Sequence, residues 1–221
     1  VSGQKDMIVL EEAYHGNTKA NIDISPYKHN GPGGTGPPKW VHEIPMPYLY
    51  RGLHRDPETA GSLYADEVEK ICKTLSEKGK KPSAFICESM LGCGGHVPLP
   101  DGFLKQSYQH VRQHGGLCIA DEVQVGFARS GKHFWSFELQ DVVPDIVTLG
   151  KPIGNGHPLG AVITTRKIAE AFANGMEYFN TFGGNHVSCS VGMAVLDIME
   201  KEGLRQNALE TGNWLKEKLE A

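Results

Sequence analysis

The segment LCIADEVQVG, residues 117–126, decides the fold. Its first four residues are apolar without alternation and end on a carboxylate, Asp121. Uninterrupted apolar runs of this length are typical of strands buried on both faces, as in the sheets of α/β proteins. DIVTLGK, residues 145–151, repeats the design: an apolar run passes through Gly150 into Lys151. Burying an ammonium costs several kcal/mol unless it is paired or gives up its proton, so a lysine at the mouth of a buried strand either reaches outward or is chemically employed.

Outward from this pair the same alternation continues. Residues 7–10, 84–87 and 159–164 read as further strands, and residues 103–114 and 167–173 as helices. Tyr64, Val68, Ile71 and Leu75 share one face of a helix that stops at Gly79. Two more helices, 187–202 and 204–219, follow. Residues 30–47 are rich in Gly and Pro and read as a loop, with the next dozen or so also irregular. The expectation is an α/β domain with a mostly parallel central sheet and helices on both faces. Ligands of such sheets sit outside the carboxyl ends of the strands, where Glu88, Asp121 and Lys151 all fall.

The bulk composition excludes several classes. With 221 residues, 39% of them hydrophobic, the chain can bury a sizeable core. A formal charge of -4 with scattered basic residues leaves no footprint for nucleic acid or an anionic membrane. The five cysteines include no C-x-x-C pair, and Cys87 and Cys118 lie in apolar runs, so free thiols in a reduced, cytoplasmic setting are expected. There is neither a signal peptide nor an apolar run of membrane-spanning length. Val1 in place of methionine, and a helical pattern at the other end, read as an excerpt of a longer protein.

Most short motifs resolve to bland readings. GPGGTG at 31–36 matches the dinucleotide fingerprint in letters, but it lies in a loop and Pro37 and Pro38 follow it, where a helix should open. A phosphate-binding P-loop around Lys151 fails because Asp145 and Pro152 occupy its defining positions. His110 and His114 are four apart on a helix, yet Val111 stands where a zinc protease carries its glutamate, and no metal site is expected. Asp121 and Lys151 together are harder to dismiss. They could pair directly as a buried salt bridge. They also suit pyridoxal phosphate, whose aldehyde condenses with a lysine and whose ring nitrogen needs an acidic partner. Partial burial would keep Lys151 nucleophilic.

The residues resemble the class III aminotransferases, pyridoxal-phosphate enzymes of fold type I. AYHG at 13–16, IADEVQVGF at 119–127, PDIVTLGK at 144–151 and NTFGGN at 180–185 carry the resemblance in order and spacing. ISPYK at 24–28, GKHFWS at 131–136 and residues 150–157 look most like the ammonia-releasing phospho-lyases of phosphoethanolamine and 5-phosphohydroxylysine. The resemblance implies that Lys151 is the Schiff-base lysine and proton shuttle, and that Asp121 holds the pyridine nitrogen. Val123 would pack on one ring face and Tyr14 on the other with His15 beside it, while Gln124 would reach the ring hydroxyl. Glu88 would support this polar network. Thr181 would bind the cofactor phosphate of a neighbouring subunit, making a homodimer part of the site. Residues 1–203 would be a partial cofactor-binding large domain and 204–221 the start of a helical connection to a small domain.

Three departures accompany the resemblance. Cys93 stands where the ornithine and γ-aminobutyrate branches place a glutamate that restrains a gate arginine. Ala128 stands where glycine is usual, and His186 where proline is common. The implied chemistry starts with proton removal by Lys151 from the carbon bearing the substrate amine. Loss of a neighbouring phosphate then gives a phospho-lyase, and reprotonation a transaminase. Arg51 and Arg55 are candidates for the leaving phosphate, against the plainer reading of two solvated loop arginines. A non-catalytic remnant of the fold is a rival that intact Lys151 and Asp121 disfavour. A nicotinamide oxidoreductase is weaker, since its only fingerprint sits in the proline-rich loop. A cytoplasmic enzyme is expected, with the mitochondrial matrix as the alternative.

Overall fold

The computed structural model describes residues 1–221 and gathers the apolar runs into one six-stranded sheet. In chain order the elements begin with β1 (Asp6–Leu10), α1 (Lys19–Asp23), α2 (Pro26–His29), β2 (Val41–Ile44), α3 (Ala60–Glu77) and β3 (Pro82–Glu88). A small hairpin, β4 (Met90–Leu91) and β5 (Val97–Pro98), precedes α4 (Phe103–Gln113), β6 (Leu117–Asp121) and a 3-10 turn at Ser136–Gln140. Then follow β7 (Ile146–Leu149), a 3-10 turn at Lys151–Gly154, β8 (Ala161–Thr164), α5 (Arg166–Phe172), α6 (His186–Lys201) and α7 (Leu204–Glu220). The sheet order is β2-β1-β3-β6-β7-β8, parallel throughout except for β8, which pairs antiparallel with β7.

One expectation is corrected. The stretch 30–47 is not all loop: β2 lies inside it and pairs in register with β1, Met7 opposite Val41 and Leu10 opposite Ile44. Glycines and prolines dominate residues 31–38 and hide a four-residue strand whose two ends, Val41 and Ile44, are buried. Helices α1 and α2 are likewise too short to show a period.

The strands read as apolar because both faces are covered. Along β1, Ile8 and Leu10 enter the main core while Val9 turns to the opposite face; in β3, Phe85 and Cys87 divide from Ile86 in the same way. The main core lies under α3 and α4, with Tyr64, Val68, Phe103, Leu104 and Tyr108 all buried. Each fully buried large apolar side chain contributes about 1.5–3 kcal/mol. The two helices meet closely: a Cβ at Gly61 would stand 1.9 Å from the carbonyl oxygen of Asp101, so only glycine fits. All five cysteines are free. Burial pushes the Cys72 thiol up to about 11 and raises those of Cys87 and Cys118 well above the ordinary thiol value, so these three act as small hydrophobes.

Register then brings the polar strand ends together. Glu88 stands opposite Asp121, and Asp121 opposite Thr148, three residues before Lys151. No helix is long and apolar enough to cross a membrane.

Candidate active site

A cavity of about 150 Å³ opens at the carboxyl ends of β1, β3, β6 and β7, lined by Tyr14, His15, Gly16, Glu88, Asp121, Val123, Gln124 and Lys151. Seven of the eight residues named from the sequence as cofactor contacts therefore share one hollow; Thr181 is the eighth. Asp121 and Lys151 do not pair with each other. Asp121 Oδ2 meets His15 Nδ1 at 2.7 Å, and its Oδ1 accepts from the Val123 amide at 3.0 Å. Lys151 Nζ instead donates to Gln124 Oε1 at 2.7 Å. The buried salt bridge is thus not formed, and carboxylate and ammonium stay separately available. The His15 side chain is 1% and that of Asp121 6% exposed, and His15 Nε2 is buried with no partner.

Lys151 itself is exposed, so the partial burial expected of it is not provided by this chain. Its backbone is unusual, with φ at +31°, in the region where glycine alone rests without strain. Its neighbours explain how it is set there. A Cβ at Gly150 would come within 3.0 Å of Val123 Cγ1, which keeps that position bare, and Pro152 restricts the residue before it. The strained turn aims the amine at the strand ends.

Glu88 is fixed by backbone donors: its two oxygens accept from the Tyr14 amide at 3.3 Å and the Gly92 amide at 2.9 Å. Burial raises its carboxyl above the usual glutamate range, with these bonds pulling the other way. Gly92 leaves the room, since a Cβ there would meet Gln124 Nε2 at 2.4 Å. Helix α2 is tied to the same corner: Ser25 Oγ accepts from the His15 amide at 2.8 Å, and the Tyr27 amide donates to the Ala13 carbonyl at 3.1 Å.

Glu122 carried no role in the sequence reading. It is fully buried and accepts from the Ser136 and Phe137 amides at 2.8 and 3.0 Å and from the Ser89 hydroxyl. Burial raises its carboxyl too, against those hydrogen bonds. Period-two alternation past the strand end was the signal: Asp121 and Val123 face the cavity, so Glu122 between them faces inward. Thr181 lies exposed on the segment before α6, whose N-cap Asn185 accepts from the Ser188 amide at 2.9 Å, and it does not line this cavity. Arg51 and Arg55 are also exposed and outside it: Arg51 lies over Tyr50 at 5.4 Å, and Arg55 donates to the Gly52 carbonyl at 3.2 Å. No cluster of metal-ligating side chains is present.

A family model described as Aminotransferase class-III matches residues 1–221. The chain belongs to this family. Its relatives include "Alanine--glyoxylate aminotransferase 2-like" of Drosophila melanogaster, 50% identical over 219 residues, covering 97% of this chain and 44% of the fly protein. "Ethanolamine-phosphate phospho-lyase homolog 1" of Caenorhabditis elegans is 41% identical over 223 residues, covering 96% and 48%. The chain spans about half the length of these curated relatives. Among solved structures, a phospholyase from Arthrobacter in complex with phosphoethanolamine superposes with a TM-score of 0.89 at 34% identity, covering 99% of this chain and 51% of that one. A PLP-bound amine transaminase from an uncultivated Pseudomonas species gives 0.87 at 31%, covering 98% and 50%. The class III family is one of pyridoxal-phosphate-dependent enzymes of fold type I, and the mostly parallel α/β sheet described above has that fold.

Proposed function

We propose that the protein containing this chain is a pyridoxal-phosphate-dependent phospho-lyase acting on a small phosphorylated amino alcohol, with phosphoethanolamine or 5-phosphohydroxylysine as the substrate class. The observation that carries the cofactor assignment is the separated pair, Asp121 held by His15 and Lys151 held by Gln124 around one cavity. The residues fit the group: a desolvated carboxylate with a further lone pair for a ring N–H, a primary amine, an amide, and a tyrosine and a valine to bracket a flat ring. When bound, the cofactor supplies an aldehyde that condenses with amines and a protonated ring that accepts an electron pair.

In this reading Lys151 Nζ would hold the cofactor and would be the base that takes the proton from the carbon bearing the substrate amine. Asp121 would hold the ring nitrogen; His15 and the Val123 amide fix the orientation of its carboxyl group. Glu88 holds the Tyr14 and Gly92 backbone and so fixes the Tyr14 side of the cavity. The net change takes phosphoethanolamine and water to acetaldehyde, ammonia and phosphate, the phosphate leaving with the electron pair of its C–O bond. The likeness to the Arthrobacter phospholyase supports elimination, as does Cys93 in place of a gate-restraining glutamate. The exposed Phe172, Met176, Tyr178, Phe179 and Phe182 around Thr181 support a homodimer in which Thr181 serves the partner's cofactor phosphate.

A transaminase is the second reading, favoured by the name of the Drosophila relative at 50% identity. The deciding experiment loads the full-length protein with pyridoxal phosphate and measures inorganic phosphate from phosphoethanolamine and 5-phosphohydroxylysine without an oxo-acid acceptor. Many turnovers, lost in Lys151→Ala, are expected. Amino transfer to an oxo acid with no phosphate release would replace the lyase by the transaminase.

A further inference from the structure

Beside the cavity, in a neighbouring hollow that it lines with Glu12 and Tyr27, Lys28 is a cation for which the cofactor roles have no use. We propose that Lys28 binds the anionic group of the substrate, a phosphate monoester, at the mouth of the site; this rests on the phospho-lyase reading above. Lys28 sits on α2, which the bonds from His15 to Ser25 and from Tyr27 to Ala13 fasten to the Tyr14 corner. Its ammonium stands 5.7 Å from the centroid of the Tyr14 ring, which lines the cavity, and 6.0 Å from that of Tyr27. An aromatic face steadies a cation without neutralising it. Asp23 pairs with Lys19 at 3.8 Å and Glu43 with His29 at 2.8 Å, while Glu12, across the same hollow, forms no ion pair with Lys28. Lys28 is therefore half-buried, held in place and free of any carboxylate. Tyr14 is the link between the two cations: its ring lines the cavity that Lys151 also lines, and Lys28 stands against that ring. A substrate whose amine reaches Lys151 and whose phosphate reaches Lys28 would lie along the Tyr14 ring.

The test uses the full-length, cofactor-loaded protein and two probes followed by the change in cofactor absorbance: phosphoethanolamine, and propylamine, which lacks the phosphate. In Lys28→Met the apparent Kd for phosphoethanolamine should rise about ten- to hundredfold, the loss expected for one charge-assisted hydrogen bond, while that for propylamine moves by less than about threefold. Lys28→Arg should recover most of the affinity, because it keeps the charge and the donors. The wild-type Kd for phosphoethanolamine should weaken with salt more than that for propylamine. Equal weakening of both probes in Lys28→Met, or no change in either, would overturn the assignment. Absence of phosphate release by the wild type would sink the lyase reading alone, since the ratio of the two dissociation constants still decides Lys28.

Discussion

Exchanging Glu122 for glutamine changes chemistry without changing shape, and its consequence can be worked out bond by bond. Oε2 has one partner, the Ser136 amide; Oε1 has the Phe137 amide and the Ser89 hydroxyl. In Glu122→Gln one oxygen becomes an NH2 group. The Ser89 hydroxyl can rotate and accept, but a backbone N–H cannot, so either orientation leaves one buried amide donor facing another. An unsatisfied buried donor costs about 1–3 kcal/mol, which for a domain of this size lowers Tm by roughly 2–10 °C. The pH dependence has a definite sign. A carboxyl whose folded value lies above its ordinary 4.5 keeps its proton in the folded state after the unfolded chain has lost it. Wild-type stability therefore falls as pH rises from about 4.5 through the folded value, and glutamine lacks that loss. A protonated Glu122 also satisfies every neighbour, its OH turned to Ser89 Oγ. The gap between wild type and variant should be widest at low pH and narrow as pH rises, read from thermal melts of the full-length protein between pH 4 and 8. A variant as stable as wild type at low pH, or a gap that widens with pH, would refute the reasoning.

Other outcomes follow from backbone and contact geometry. Ala128 carries φ of +59°, so Ala128→Gly should relieve strain and raise stability by about 1 kcal/mol or somewhat less, checked by chemical denaturation. Gly61→Ala drives a Cβ into a backbone carbonyl and should destabilise by about 1–3 kcal/mol or more, seen as reduced soluble yield and a lower Tm. His15→Phe keeps a flat ring but removes the contact to Asp121; it should weaken retention of pyridoxal phosphate on dialysis and shift the cofactor absorbance, whereas unchanged retention and spectrum would confine His15 to packing.

Strands ending on Glu88 and Asp121, and the strand leading to Lys151, were legible because burial on both faces leaves uninterrupted apolar runs, and a charge at the end of such a run stands out. The resemblance of the surrounding motifs then supplied Tyr14, Val123 and Gln124. Less was legible where structure depends on distance along the chain. The bond between His15 and Asp121 joins residues 106 apart, and nothing local distinguishes that partner from Lys151. Strand β2 was hidden by the composition of the loop before it, since its pairing with β1 is set by register and not by local pattern. Glu122 was visible as a letter but not as a buried anchor, because two adjacent acids differ only in which way the backbone turns them. Arg51 and Arg55 were plausible by charge, yet the chain turns both to the surface; the free cation beside the cavity is Lys28, inside a stretch already noted for its likeness to the phospho-lyases.

The central claim is that Lys151 is the residue to which the cofactor attaches. Reduction of the full-length, pyridoxal-phosphate-loaded protein with borohydride, followed by peptide mass mapping, tests it most directly. The account predicts the added pyridoxyl-phosphate mass on the peptide bearing Lys151, localised to that side chain and absent in Lys151→Ala. Stoichiometric label on another lysine, or none on Lys151 in a protein that retains the cofactor, would contradict it.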